Sequence, residues 1–214
     1  MIIISSSQKE VKVIYSEKKE IIKSISGRSS GSKIVTEIKN ILQEAKIELK
    51  DIKEFGIDIG PGSFTGIRIG IAVIQGLLFG KNDYDLRYFY SSDVLSYDYK
   101  DQKIAVINRA REDAAYVTLY DERKRVEDPK MIFGEQLQNV LKNRLLIGEQ
   151  SIHFKNKYNL NNRVLVPEVN IDNFIFAYNK GNLVETEKLE PLYIQKPIAV
   201  ENYEKQNKKI IEDI

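Results

Sequence analysis

The 214-residue chain has no cysteine and one histidine, His153. The first absence excludes disulfides, thiolate metal sites and thiol redox chemistry. The second excludes any metal site needing two histidines, although carboxylates can still hold Mg²⁺ together with phosphates. An excess of one charge is missing too: 33 Lys and Arg against 31 Asp and Glu leave a formal net charge of +2. That provides no broad field for a nucleic-acid backbone, so RNA would be held by a local patch or a partner protein. No apolar run approaches the ~20 residues that span a bilayer, and no membrane partner is expected. The opening MIIISSSQKEV is apolar for only four residues and lacks a basic leader. It is not read as a signal peptide, and the cytoplasm is the expected compartment.

What is present suits a globular α/β protein. Apolar residues make up 42% and charged residues 30% of the chain, at a length that fits one large domain or two small lobes. Residues 1–5, 11–15 and 20–26 read as strands. Ile34, Val35, Ile38, Ile41, Leu42 and Ala45 recur at helical spacing, with Ser30 or Ser32 as candidate cap. EFGIDI alternates as a strand with Phe55, Ile57 and Ile59 on one face, and DLRYFY is a further strand. SSDVLSY opens a short helix capped by Ser91 or Ser92. KIAVIN and AAYVTLYD form a hairpin around RARED, MIFGEQLQNVLKN and NIDNFIFAYNKG read as helices, and RLLIG as a short buried strand. The second block repeats the order of the first loosely, which favours two α/β lobes. The expected boundaries are an N-terminal lobe over 1–100, a C-terminal lobe over 101–195, and a helical tail over 196–214 that packs near the N-terminal lobe.

The most informative stretch is DIGPGSFTGIRIG, residues 58–70, where a strand gives way to a helix. It is neither of the common phosphate loops. Gly66 falls one residue late for GxxxxGK[ST] after Gly60, and isoleucine follows it instead of lysine. It is also one residue late for GxGxxG. Ser63 or Thr65 can cap the helix, whose free amides can receive an anion, or the stretch is simply a capped tight turn. Gly62, Gly66 and Gly70 are spaced by four, and so are Ala72, Gly76 and Gly80. Small residues at that spacing share a helix side and admit a close neighbour. A glycine inside a helix costs about 1 kcal/mol relative to alanine, so something must offset it. Spacing alone leaves open whether the neighbour belongs to the same lobe or to a second subunit.

Groups for catalysis are few. Ser5, Ser6 and Ser7 follow the first strand with no evident base, and a hydroxyl without one is a poor nucleophile. Asp58 sits before the glycine turn, where it orients a ligand or bonds to the loop. His153 lies in the polar stretch SIHFKNK and reads as a surface residue. Arg109 and Arg111 flank a hairpin tip. Lys205, Lys208 and Lys209 are offset by Glu204, Glu212 and Asp213, so the tail reads as a solvated helix.

Residues 58–80, DIGPGSFTGIRIGIAVIQGLLFG, resemble the signature of the TsaB (YeaZ) family. MIIISSS resembles its opening strand, IAVINRAREDAAYVTLY the hairpin of its second lobe, and EPLYIQKPIA its C-terminal segment. The resemblance covers nearly the whole chain and is looser between residues 122 and 185. It implies a two-lobed actin-like ATPase (ribonuclease H-like) fold with mixed sheets. It also implies an accessory role in forming N6-threonylcarbamoyladenosine (t6A) at position 37 of tRNAs that read codons beginning with A. The implied partners are TsaD, which carries the metal and transfer chemistry, and TsaE, an ATPase that joins the complex. A homodimer forms in isolation, and tRNA is contacted mainly through the complex.

On this resemblance the partner interface comprises Gly62, Thr65, Gly66, Arg68, Ile69, Gly70, Val73, Gly76 and Leu77. Candidate nucleotide contacts are Ser5, Ser7, Asp58, Gly60 and Gly62. No catalytic residue, metal ligand or intrinsic cofactor is expected, and ATP or ADP is a candidate occupant of the cleft or the complex interface. Three positions depart from the family pattern: Ser5 and Asn108 stand where aspartates are usual, and Gly31 where many members have histidine. The alternative is a free-standing ATPase or small-molecule kinase of the same fold, needing a base or metal-binding carboxylate in the cleft.

Overall fold

The computed structural model describes residues 1–27 and 31–194. In chain order the first lobe runs β1 (Ile2–Ser5), β2 (Val11–Ser16), β3 (Glu20–Ile25), α1 (Gly31–Ala45), β4 (Glu54–Asp58), α2 (Phe64–Leu78) and β5 (Asp85–Phe89). A short helix, α3 (Ser91–Ser96), leads to β6 (Lys103–Arg109), β7 (Ala114–Asp121), β8 (Lys124–Arg125), β9 (Lys130–Phe133), α4 (Gly134–Val140), β10 (Leu145–Ile147), α5 (Gln150–Lys157) and β11 (Val164–Leu165). The described chain closes with α6 (Ile171–Lys180) and β12 (Asn182–Leu183).

The strands form two mixed sheets, ordered β12-β5-β4-β1-β2-β3 and β11-β10-β6-β7-β8, with β9 also paired to β7. One plan is used twice. β1 runs antiparallel to β2 and parallel to β4, which lies parallel to β5. β6 likewise runs antiparallel to β7 and parallel to β10, which lies parallel to β11.

The strand period of two explains the layers. Ile2, Ile4, Phe55 and Ile57 join the core under α1 and α2, which contribute Ile34, Ile38, Ile41, Ile67, Ile71 and Ile74. Ile3, between Ile2 and Ile4, points the other way and packs with Phe89, Phe174, Ala177 and Tyr178. Both faces of this sheet are covered, so β1 is a continuous apolar run. In the second sheet Ala105, Ile107, Ala115 and Val117 pack against Leu137, Leu141 and Phe154. Ile104, Val106 and Ile147 face the opposite side. There α3 joins the sheets: Val94 enters the cluster around Ile3, and Leu95 packs on the cluster around Ile104.

Several expectations change. The C-terminal lobe does not extend to residue 195. β12 pairs antiparallel with β5, Asn182 opposite Tyr88, and α6 buries Phe174 and Tyr178 against β1. Gly56 leaves the space: a Cβ there would come 2.9 Å from the Tyr178 ring. The tail over 196–214 and Ser30 lie outside the described residues, while Ser32 lies inside α1 and so does not cap it. The N-cap of α3 is Tyr90; Ser91 and Ser92 belong to its first turn. MIF is the end of β9, with the helix starting at Gly134. The polar stretch around His153 folds as α5, burying Ser151 and Phe154. No helix among the described residues is long and apolar enough to cross a membrane.

Candidate functional site: the glycine turn, helix α2 and the interlobe cleft

The turn after β4 is built around Asp58, whose side chain is fully buried. One carboxylate oxygen accepts the Ser5 hydroxyl at 2.8 Å and also the Ser7 hydroxyl; the other accepts the Gly60 amide at 2.7 Å. Burial pushes its pKa up, opposed by the bonds from Ser7, Gly60 and Ser5. These bonds tie the end of β1 and the β1–β2 turn to the glycine turn, and Asp58 lines none of the cavities described below. The expectation that Asp58 contacts a nucleotide is corrected: its acceptors are occupied within the fold. Gly60 is also structural. Its φ is +106°, in the region that favours glycine, and Ser91 donates its amide to the Gly60 carbonyl at 2.8 Å.

The two small-residue series on α2 have different neighbours. A Cβ on Gly62 would overlap the carbonyl of Ser7, one on Gly66 the carbonyl of Ser6, and one on Gly70 the hydroxyl of Ser6. The backbone bond from the Ser63 amide to the Ser7 carbonyl, 2.6 Å, belongs to the same close approach. Gly66, Gly70 and Val73 are buried, and Val73 packs beside Gly31 at the start of α1. Their placement in a partner interface is therefore corrected: this edge is filled by the lobe's own β1–β2 turn. Ser63 caps the helix by accepting the Gly66 amide at 3.2 Å.

The opposite side is open. Thr65, Arg68, Ala72, Gly76 and Gly80 are exposed, Ile69 and Leu77 are half-buried, and nothing lies within 4 Å of a Cβ built on Gly76 or Gly80. Aromatic groups border this face. The Arg68 guanidinium sits 3.9 Å from the Phe64 ring centroid, Tyr193 meets Phe64 edge-on at 5.6 Å, and Phe79 is 92% exposed. Exposed apolar rings beside a smooth helix face are the composition of a protein contact.

Between the lobes lie two cavities. One, about 420 Å³, is lined by Ser6, Ser7, Gly62, Ser63 and Thr65 from the first lobe and Asn108, Arg109 and Gln150 from the second. Lys9 also faces it, and no carboxylate does. Asn108 is almost fully buried; its Oδ1 accepts the Gln8 amide at 3.2 Å, while its Nδ2 has no protein partner. The second cavity, about 550 Å³, is reached by Ser5, Asn108, Gly148 and Glu149. Of the candidate nucleotide contacts, Ser7 and Gly62 thus border one cavity and Ser5 the other. Arg109 pairs with Glu112, which also bonds Lys157. His153, half-buried on α5, lies 3.8 Å from the same carboxylate.

A buried polar cluster escaped the sequence. Asp93 accepts the Tyr120 hydroxyl at 2.9 Å and the Arg125 guanidinium at 3.0 Å. Burial raises the Asp93 pKa, and the Arg125 charge opposes it. This ties α3 to the β7–β8 hairpin across the lobe boundary. No local pattern links residues 93, 120 and 125, so nothing in the chain's periodicity pointed to it.

Two mixed sheets of one plan with cavities between them define a two-lobed α/β protein, the fold shared with solved YeaZ structures. The structure titled YeaZ from Pseudomonas aeruginosa superposes with a TM-score of 0.72 at 19% identity, over 89% of this chain and 98% of that one. A second Pseudomonas aeruginosa structure, described as similar to peptidase YEAZ, gives 0.72 over 91% of this chain and 98% of that one, again at 19% identity. The model of the family described as TsaD, tRNA N6-adenosine threonylcarbamoyltransferase, matches residues 3–187, and the chain belongs to that family.

Curated relatives carry the name tRNA threonylcarbamoyladenosine biosynthesis protein TsaB. The protein from Buchnera aphidicola of Acyrthosiphon pisum is 26% identical over 185 residues, 79% of this chain and 78% of that protein. That from Buchnera aphidicola of Schizaphis graminum is 44% identical over 63 residues, 28% of this chain. That from Haemophilus influenzae is 34% identical over 70 residues, 33% of this chain. The last two alignments span only 30% of each relative's own length. The TsaB (YeaZ) resemblance read from the sequence agrees with these names.

Proposed function

We propose that the chain is a non-catalytic subunit in the formation of t6A at position 37 of tRNAs reading codons that begin with A. In this reading it works in the cytoplasm by docking on a TsaD-type transferase through the open side of α2. TsaE joins that pair, and a homodimer forms when the transferase is absent. The observation that carries the reading is the division of labour around the glycine turn. Asp58, its one carboxylate, is consumed by Ser5, Ser7 and Gly60, while the helix beyond it leaves Arg68, Ala72, Gly76 and Phe79 uncovered. The family and the names of the relatives support the same pathway.

A second reading has one observation in its favour. Lys9, the hydroxyls of Ser63 and Thr65, and the unpartnered Nδ2 of Asn108 suit an anion in the smaller cleft cavity. ATP or ADP binding there, without turnover by the isolated chain, is compatible with the accessory role.

The deciding experiment co-expresses the chain with the cognate TsaD-type protein and assays t6A in a tRNA transcript. Omitting the chain should lower modification at least about tenfold. Gly76→Trp should weaken capture of the transferase while leaving the melting temperature in place. Equal modification without the chain, or metal-dependent ATP turnover by the isolated, contaminant-free chain, would overturn the proposal.

A further inference from the structure

One end of the second sheet carries a cavity of unusual chemistry. The register sets Lys103 of β6 opposite Asp121 of β7 and Leu145 of β10 beside Ile104, so the segments before β6, after α4 and before β11 converge. The cavity they enclose is about 710 Å³, and apart from Leu145 its lining is amides and cations with no Asp or Glu. Its floor is braced. Arg144 donates to the Tyr120 carbonyl at 3.0 Å and to the Asp121 carboxylate at 2.7 Å. Asn162 donates to the carbonyls of Leu141 and Arg144 at 2.7 and 2.9 Å.

The rim is uncommitted. Lys142 and Arg163 are exposed and form no ion pair among the described residues, although the chain holds 31 acidic residues. Asn139, Asn143 and Asn161 on the same rim have side chains without hydrogen-bond partners among the described residues. A separate cavity lined by Arg123, Lys124, Arg125 and Lys180 also contains Asp93 and Glu122, and so does not share the carboxylate-free lining.

Cations without carboxylates suit phosphates. Amides add paired donors and acceptors of the kind that ribose hydroxyls and base edges use. We propose that this end of the second lobe is an RNA-contact surface, with Lys142 and Arg163 on phosphates and the rim amides on sugar or base edges. That the RNA is a tRNA rests on the function proposed above; the surface chemistry does not. A local patch of this kind reconciles RNA binding with a net charge of +2.

The test measures retention of an unmodified tRNA transcript by the full-length chain at about 50 and 200 mM salt. The wild-type chain should bind, more weakly at the higher salt. Lys142→Glu with Arg163→Glu should weaken binding about tenfold or more and flatten the salt dependence. The charge-matched control Lys18→Glu with Lys39→Glu, on the first lobe, should bind as the wild type does. Unchanged binding by the first variant, or equal loss in the control, overturns the proposal. So does competition by polyglutamate as effective as that by RNA, which would indicate an acidic protein partner. Capture of the transferase is read on the same variants and should be unchanged. If the wild-type chain captures no transferase, the functional reading fails while RNA retention still decides this surface.

Discussion

The two lobes repeat one strand–helix plan and fill it differently. After the equivalent strands β4 and β10 the chain turns on a glycine with nearly the same positive φ, +106° at Gly60 and +108° at Gly148. The helices that follow diverge. α2 has 15 residues, buries seven of them and slides its glycine edge onto the Ser6 and Ser7 carbonyls. α5 has eight residues, buries only Ser151 and Phe154, and is otherwise polar apart from the exposed Ile152. A helix at this place in the plan therefore needs neither length nor glycine to close its lobe. The extra apolar and small residues of α2 fall on two sides. One is the inward clamp on the β1–β2 turn; the other is the uncovered side bearing Ala72, Gly76 and Gly80.

That contrast can be broken at the clamp. Gly66→Leu places a side chain into the Ser6 carbonyl, where backbone and not a flexible tip must move. The expected loss is about 3 kcal/mol or more, read as the urea midpoint, and an unshifted midpoint would remove the clamp from the account. Gly70 is for the same reason a poor interface probe, since its substitution meets Ser6 inside the lobe.

A smaller effect is expected at the bonds behind the clamp. Asp58→Ala leaves two hydroxyls and an amide without their acceptor and should cost about 2–3 kcal/mol. Asp58→Asn keeps one acceptor oxygen and should cost less. Because burial raises the folded pKa of Asp58, the unfolded chain releases this proton first as pH rises. The wild type should lose stability as pH climbs from the ordinary carboxylate range through the raised value, and stay level above it. Asp58→Asn lacks that loss, so its deficit against the wild type should narrow as pH rises over that window. Urea titrations across the series decide it; a deficit that widens with pH would reverse the assignment.

The smallest effect sharpens the difference between the two sides of α2. Gly76→Ala meets no atom and should stabilise the chain by about 1 kcal/mol or less, through helix propensity alone. Destabilisation in thermal melts of the monomer would mean that this side is covered after all.

Much of this was legible in the chain. MIII, EFGIDI and the Ile34–Ala45 spacing read correctly because strand and helix periods are local, and the glycine spacing correctly marked a close approach. Which atoms come close was not legible. Ser6 and Ser7 lie more than fifty residues from Gly62 and Gly66, and only the antiparallel β1–β2 turn beside β4 brings them there. α5 was missed because a helix with two buried residues has almost no apolar stripe. The second lobe's boundary was misjudged because α6 returns to the first sheet, following the room left by Gly56.

By itself the amino-acid sequence determined the elements, the repeated α/β order and the family signature, since these rest on short-range periods and a contiguous motif. It also excluded thiol and multi-histidine chemistry by composition. Only the tertiary structure decided which glycine edge is spent inside the lobe, that Asp58 serves the fold, and that carboxylate-free walls gather at the end of the second sheet. Those outcomes depend on which distant segments are neighbours, and contact across the chain is set by packing and register.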